Sequence, residues 1–370
     1  MLLAFLTGVL AAEPVDVTDI ALDELLEVDT VGGAEGSFGY RLQQVGVSPW
    51  LHAYAVGELY GETGTAPTFD LHYFNVFVGA EIQDVVVPEV QLEYEHGGGE
   101  IQMRYGQVDI RTPSDALTFR VGKFMVPMGT YNETLYPEFL TPLPDRPLVL
   151  QEIVPVSWAE VGLQLRGGAE LGKGWRLGYA TYIVNGLEQR DDDPTDGVVQ
   201  EAGNIRDMRD NHLDAYNGNK ALGFRLGVQG PNGFSAGAAT YNGRYAIEAP
   251  LGLGMYGIDI SWHPGPVLLQ TEFFEAVLER VSGEDRRTWG SYFLVGVEIT
   301  DWLEPVAQAD IIRPGLDDPS QDRERISLGV ILRPYPEKAR FLVVKGSGAM
   351  TTYGVGDPTY RAVGQVAVGF

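Results

Sequence analysis

Cysteine is missing altogether from the 370 residues of this chain. Disulfide frameworks and thiolate chemistry are therefore excluded. Long apolar runs are missing too: nothing approaches the ~20 residues that a membrane-spanning helix needs. Basic residues are scarce, 26 Lys and Arg against 51 Asp and Glu, for a net charge of −25. That balance argues against nucleic acid as a partner, because phosphate binding is driven by clustered cations. Low-complexity linkers, composition breaks and sustained helical periodicity are absent as well. One domain is favoured over the two or three that the length alone would allow.

What is present is glycine, 47 residues of it, and aromatics at 11%. The mean hydropathy is near zero, as in a soluble protein or in a β-barrel whose polar lumen offsets a lipid-facing surface. The last ten residues, Arg361-Ala-Val-Gly-Gln-Val-Ala-Val-Gly-Phe370, alternate cleanly. Ala362, Gly364, Val366, Val368 and Phe370 fall on one face; Arg361, Val363, Gln365, Ala367 and Gly369 fall on the other. Successive strand side chains point to opposite faces, so one face suits lipid and the other a polar interior. The terminal Phe370 resembles the carboxy-terminal signal by which bacterial outer-membrane barrels are recognised, which implies the barrel-assembly machinery as a partner and Phe370 as the assembly signal.

From Trp50 onward the chain divides into about 16 segments of roughly ten residues, the length of a tilted membrane strand. They lie at 49–61, 69–83, 88–97, 100–110, 115–125, 157–167, 174–185, 220–229, 233–242, 252–263, 266–279, 288–300, 302–313, 324–334, 339–348 and 361–370. Tight turns such as Thr112-Pro-Ser-Asp115, Gly230-Pro-Asn-Gly233 and His263-Pro-Gly-Pro266 follow every second segment. The intervening connections are mostly longer: 126–156, 186–219, 243–251, 280–287, 314–323 and 349–360. Short turns and long loops alternating in phase predict an antiparallel transmembrane β-barrel of about 16 strands, with long loops outside. A β-sandwich gives no reason for that phase. The six tryptophans, Trp50, Trp158, Trp175, Trp262, Trp289 and Trp302, all fall near segment ends, where an interfacial girdle would place them.

Met1 to Ala12 reads as a secretory signal, although no Lys or Arg precedes its apolar stretch; a buried N-terminal segment is the alternative. Residues 13–47 then form either a periplasmic leader segment or a solvated amphipathic turn, and 48–370 the barrel. The expected location is the bacterial outer membrane, in contact with its lipid and lipopolysaccharide.

Parity makes 126–156 the third external loop. Five prolines between 127 and 147 stiffen it, and Tyr131, Leu135, Tyr136, Phe139, Leu140, Leu148, Val149 and Ile153 are too apolar for water. Such a loop must pack on something: into the lumen of a barrel this wide, or else over the rim or into a trimer contact. Folded inward, it offers Glu133, Glu138, Asp145, Arg146 and Glu152 as candidate constriction groups. The stretch from Leu117-Thr-Phe-Arg-Val-Gly-Lys-Phe-Met-Val-Pro-Met-Gly-Thr-Tyr-Asn-Glu133, through Asp145-Arg-Pro-Leu-Val149, to Ile153-Val-Pro-Val-Ser-Trp-Ala-Glu-Val-Gly162 resembles porins of the phosphate-selective O/P family. Phe69-Asp-Leu-His-Tyr-Phe-Asn-Val-Phe-Val78 and Gln91-Leu-Glu-Tyr-Glu-His-Gly-Gly98 fit the same group. The resemblance is specific over residues 50–170 and implies a 16-stranded, homotrimeric porin with an inward third loop. Selective members line the constriction with several Lys and Arg. Here the loop holds Arg146 against four acids, with Arg120 and Lys123 just before it, so phosphate selectivity is not carried over.

The strand faces carry both signs: Arg104, Arg166, Arg225 and Arg325 against Glu160, Glu272, Glu304 and Asp310. They form either a wall of paired charges or a transverse field that orients polar solutes. Loop 186–219 has nine acidic residues against three arginines, a net −6. Asp191-Asp-Asp-Pro-Thr-Asp196 offers hard oxygen ligands to Ca²⁺ but has no recognised spacing, and a solvated acidic surface is favoured. The five histidines (52, 72, 96, 212, 263) are scattered, no nucleophile elbow occurs, and neither cofactor, metal nor enzymatic activity is expected. The expected function is passive diffusion of small hydrophilic solutes through a pore narrowed by loop 126–156. A structural or adhesive barrel and an anion-selective channel are the alternatives.

Overall fold

Alternating faces dominate the computed structural model, which describes residues 46–97, 101–113, 116–189, 204–209, 220–246, 249–315, 319–337 and 341–369. The first eight strands are β1 (Val47–Glu62), β2 (Thr68–Ile82), β3 (Val86–Glu95), β4 (Ile101–Arg111), β5 (Thr118–Met125), β6 (Ala159–Gly172), β7 (Trp175–Val184) and β8 (Ala221–Gly230). The other eight are β9 (Phe234–Arg244), β10 (Gly252–Trp262), β11 (Val267–Leu278), β12 (Arg286–Val297), β13 (Leu303–Arg313), β14 (Arg323–Leu332), β15 (Leu342–Tyr353) and β16 (Thr359–Gly369). Each pairs antiparallel with its sequence neighbours, and β1 closes onto β16 from Tyr54↔Gly369 to Glu62↔Arg361. The result is a closed barrel with no free sheet edge.

The period-2 pattern fixes which way each side chain faces. In β16, Tyr360, Ala362, Gly364, Val366 and Val368 are exposed, while Val363, Gln365 and Ala367 are buried toward the lumen. The same holds for β14, where Ile326 and Leu328 are exposed and Arg325 and Ser327 buried. Large apolar residues therefore cover the outside all the way round, among them Leu222, Ile258, Phe293 and Leu328. A water-exposed protein rarely shows a patch of that extent, whereas a lipid-facing band requires it. A bulge at Val56/Gly57 shifts the register so that Asp70, His72 and Tyr73 all lie on the lumen side of β2, and one at Gln91/Leu92 buries Arg104 and Tyr105 together on β4.

From β5 to β14 long and short connections alternate between the two ends, as the sequence predicts, whereas the 333–341 connection at the short-turn end is longer than 354–358 at the other. Pro231-Asn-Gly233 is one such short turn: Asn232 and Gly233 both adopt positive φ, 58° and 63°, the paired left-handed geometry of a tight hairpin. The tryptophan girdle is partly corrected. Trp175 and Trp262 face outward at the short-turn end and Trp289 at the other, and Trp302 sits exposed on a short turn. Trp50 instead points inward, stacked on His52 at 5.2 Å and lying over Gly79. Trp158 is wholly buried against Tyr241. Nearness to a strand end does not decide the face; strand parity does.

Residues 1–45, which hold the signal and leader expectations, lie outside the described residues, as do Asp191–Asp196 and Phe370.

Candidate functional site

The connection from β5 to β6 enters the lumen. Among residues 126–158 none is exposed, and this burial arises within a single chain, so a trimer contact does not account for it. Asn132 ties the neck of the loop. Its side-chain amide donates to the carbonyls of Val126 (2.8 Å) and Trp158 (3.0 Å), and its oxygen accepts from Trp158 N–H at 2.8 Å. At Gly129 the backbone turns with φ +76° against β11, where any Cβ would lie 2.5 Å from Glu272 Oε2 and 2.6 Å from Phe274. Only glycine meets both conditions cheaply.

Beyond the neck the loop touches opposite walls. Thr130 donates to Asp259 on β10 at 2.6 Å, and Tyr131 N–H to Glu272 on β11 at 2.8 Å. Tyr136 donates to Gln91 on β3 at 2.6 Å, and Phe139 packs on Tyr54 of β1 at 5.0 Å between rings. Leu143 fills the socket left by Gly329 on β14, where a Cβ would lie 2.4 Å from its methyl. Leu148 N–H donates to Asp310 on β13 at 3.0 Å, opening the single helical turn Val149–Glu152. Six of the apolar side chains that made this loop unfit for water, Tyr131, Leu135, Tyr136, Leu148, Val149 and Ile153, form one cluster with inward residues of the wall, and Phe139 packs on a second with Tyr54, Val56 and Tyr73. Ile205 and Met208, from the following long connection, close over it, and Arg209 donates to the Pro155 carbonyl at 3.0 Å.

Each candidate constriction acid meets a cation. Glu133 lies 3.0 Å from Arg166 and 3.8 Å from Arg225. Glu138 lies 3.3 Å from His72 and 3.8 Å from Arg146, and accepts from Gln365 at 3.0 Å. Asp145 accepts from Arg361 at 2.9 Å, and Glu152 pairs with Arg323 at 2.9 Å. Arg146 also donates to Tyr73 at 3.0 Å. Burial raises the Glu138 carboxyl above the usual carboxylate range, with His72 and Arg146 acting in the opposite sense. Burial likewise raises the Tyr131 and Tyr136 phenols, so neither ionises under ordinary conditions.

The wall candidates are paired as well. Arg120 holds Asp109 through two hydrogen bonds of 2.6 and 2.8 Å, and Arg225 holds Asp259 the same way at 2.6 and 2.8 Å. Arg104 contacts Glu93, Arg325 donates to Asp310 at 3.2 Å, and Arg333 to Glu304 at 2.7 Å. Glu160 accepts from the Trp158 indole at 2.9 Å. Most of the wall charges are thus paired, while Glu160 and Glu272 accept hydrogen bonds from Trp158 and from the Tyr131 backbone. Lys123 departs from the expected eyelet: it shares the outer face with Phe119 and Val121 and donates to the Met103 carbonyl at 3.3 Å. One cluster escaped the sequence reading. Asp70, His72 and His96 converge at the long-loop end, beside Glu58. The spacing Asp70-x-His72 on one strand face was the available signal.

No model of a known protein family matches the chain. A protein of Aquifex aeolicus (strain VF5), described as uncharacterized, is 26% identical over 179 residues, 46% of this chain and 38% of that protein. Among solved structures, an anion-selective porin from Comamonas acidovorans superposes with a TM-score of 0.62 at 12% identity, covering 88% of this chain and 100% of that one. A loop-L8 deletion mutant of OmpT, an outer membrane protein of Vibrio cholerae, gives 0.62 at 11%, covering 88% and 100%. The outer membrane channel DcaP of Acinetobacter baumannii gives 0.55 at 11%, covering 88% and 98%. At such identities the likeness is one of fold: the chain has the barrel of outer-membrane porins and channels.

Proposed function

We propose that this barrel lies in a bacterial outer membrane and passes small hydrophilic solutes and ions by diffusion, with loop 126–156 as its constriction. The observation that carries the reading is the loop itself, buried in the lumen and in contact with opposite walls. An acidic ring at a constriction favours cations and a basic ring anions. Here Glu133, Glu138, Asp145 and Glu152 each meet a basic side chain, which leaves little net field. The channel therefore discriminates weakly between ions, with a mild preference for cations. Strong phosphate selectivity of the O/P type would need unpaired cations at the loop. Arg120, Arg166 and Arg146 are instead committed to Asp109, Glu133, and Glu138 with Tyr73. The reading includes no enzymatic activity, and a homotrimer follows from the porin reading; OmpT of Vibrio cholerae has a trimer form.

A second reading has its own support. The lack of any exposed residue across 126–158 also suits a structural barrel that conducts poorly. Single-channel recording in planar bilayers separates the two. Discrete, ohmic steps that grow when 130–150 is replaced by a short glycine linker support the channel. Silence from both forms supports the structural barrel.

A further inference from the structure

We propose that Asp70, His72 and His96 form a binding site for a divalent transition-metal ion of the zinc type, at the long-loop mouth of the barrel. The inference does not depend on whether the barrel conducts.

Three adjacent strands assemble the site. Asp70 and His72 are two residues apart on β2 and share its lumen face. Glu58 on β1 is the register partner of Asp70. His96 follows β3 directly. It adopts a left-handed φ of 55°, and its N–H donates to the His72 carbonyl at 3.1 Å, which brings its ring back over β2. The two rings meet edge to face at 5.1 Å.

The ring nitrogens are sorted. His72 Nδ1 lies 3.6 Å from Asp70 Oδ2, and His96 Nδ1 lies 2.7 Å from the same oxygen. These separations bracket the ~3.3 Å between neighbouring ligands on a tetrahedral ion with bonds near 2.0 Å. Glu58 Oε2, 2.9 Å from His72 Nδ1, stands ready as a further oxygen donor. Both Nε2 atoms face carboxylates on the far side: Glu138 at 3.3 Å for His72, and Glu95 at 3.7 Å for His96. Metal-binding histidines characteristically donate their second nitrogen to a carboxylate, which fixes the tautomer and strengthens the ligand. Two imidazolium rings side by side would repel; two neutral imidazoles on one cation do not.

Two nitrogens with carboxylate oxygens suit Zn²⁺, Ni²⁺, Co²⁺ or Cu²⁺ better than the all-oxygen demand of Ca²⁺ or Mg²⁺. Entry is open from outside, since the His96 side chain is 61% exposed while those of His72 and Asp70 are 19% and 14% exposed. Glu138 belongs to the inward loop, so an ion here bears directly on the side chain that anchors the loop beside β1, β2 and β16.

The test uses the full chain without an affinity tag, folded in detergent, stripped with EDTA and titrated with Zn²⁺ by calorimetry. One equivalent per chain is expected. His96→Ala and Asp70→Asn should each weaken binding at least tenfold, and Glu138→Gln and Glu95→Gln by about tenfold. Because the His96 ring is mostly exposed, that variant should assemble normally, and retention of the heat-modifiable gel band checks this. Unchanged affinity in His96→Ala overturns the proposal. So does displacement of Zn²⁺ by millimolar Ca²⁺, which would assign the ion to acidic loop oxygens.

Discussion

Arg225 and Asp259 sit on strands two apart, β8 and β10, and meet across the intervening β9 through two hydrogen bonds of 2.6 and 2.8 Å. The Asp259 carboxylate also accepts from Thr130, and Arg225 lies 3.8 Å from Glu133. One buried pair thus carries the neck of the inward loop as well as balancing its own charge. Asp259→Ala should leave Arg225 and Thr130 short of their partner and cost about 3 kcal/mol, the penalty typical of breaking a buried pair. Urea unfolding in detergent measures this. Asp259→Ala combined with Arg225→Ala should recover part of the loss.

The glycine at the loop entry gives a sharper test of where the loop sits. Gly129→Val places a branched side chain against Glu272 and Phe274 at a positive φ. The barrel should still close, because its strand ladder is untouched. The loop should lose its seat, raising single-channel conductance and opening 130–150 to added protease.

Selectivity should follow the partners of Glu133. Removing both Arg166 and Arg225, as Arg166→Ala and Arg225→Ala together, frees two carboxylates in the lumen, Glu133 and Asp259. The reversal potential in a salt gradient should move toward cation preference relative to the parent. A shift toward anions would contradict the constriction assigned here.

The outer surface carries its own prediction. Leu328 is 63% exposed at the middle of β14. In water, Leu328→Arg would be close to neutral. In a bilayer it should destabilise by about 2–4 kcal/mol if the position lies near the midplane. Folding titrations in lipid vesicles distinguish these outcomes.

Sixteen strands were legible in the chain because period-2 alternation and turn chemistry are local properties. β10 was expected at 252–263 and spans Gly252–Trp262; β13 was expected at 302–313 and spans Leu303–Arg313. β15 was the least well placed, expected at 339–348 and found at Leu342–Tyr353. The inward course of the third loop was legible as one of two choices, from the mismatch between its apolar content and water. Its partners were not, since contacts such as Tyr136 with Gln91 depend on closure of the whole barrel. Lys123 was assigned to the eyelet on its nearness to the loop, although alternation with Phe119 and Val121 already put it outside. The histidine cluster was hidden because His96 joins Asp70 and His72 only through strand pairing and a left-handed backbone step.

The junction between first and last strands is where Gln365 becomes instructive. From β16 its amide donates both to Glu58 on β1, at 2.7 Å, and to Glu138 on the inward loop, at 3.0 Å. Strand hydrogen bonds alone do not tell a correct seam from a slipped one, since the backbone is the same at every step. A side chain that must find two particular carboxylates does. A slip of one residue would turn Gln365 toward lipid, and a slip of two would carry it about 6.6 Å along the strand, out of reach of both. The inward loop thereby acts as a gauge for closure, so that only the correctly registered cylinder brings the Gln365 amide nitrogen to both carboxylates at once.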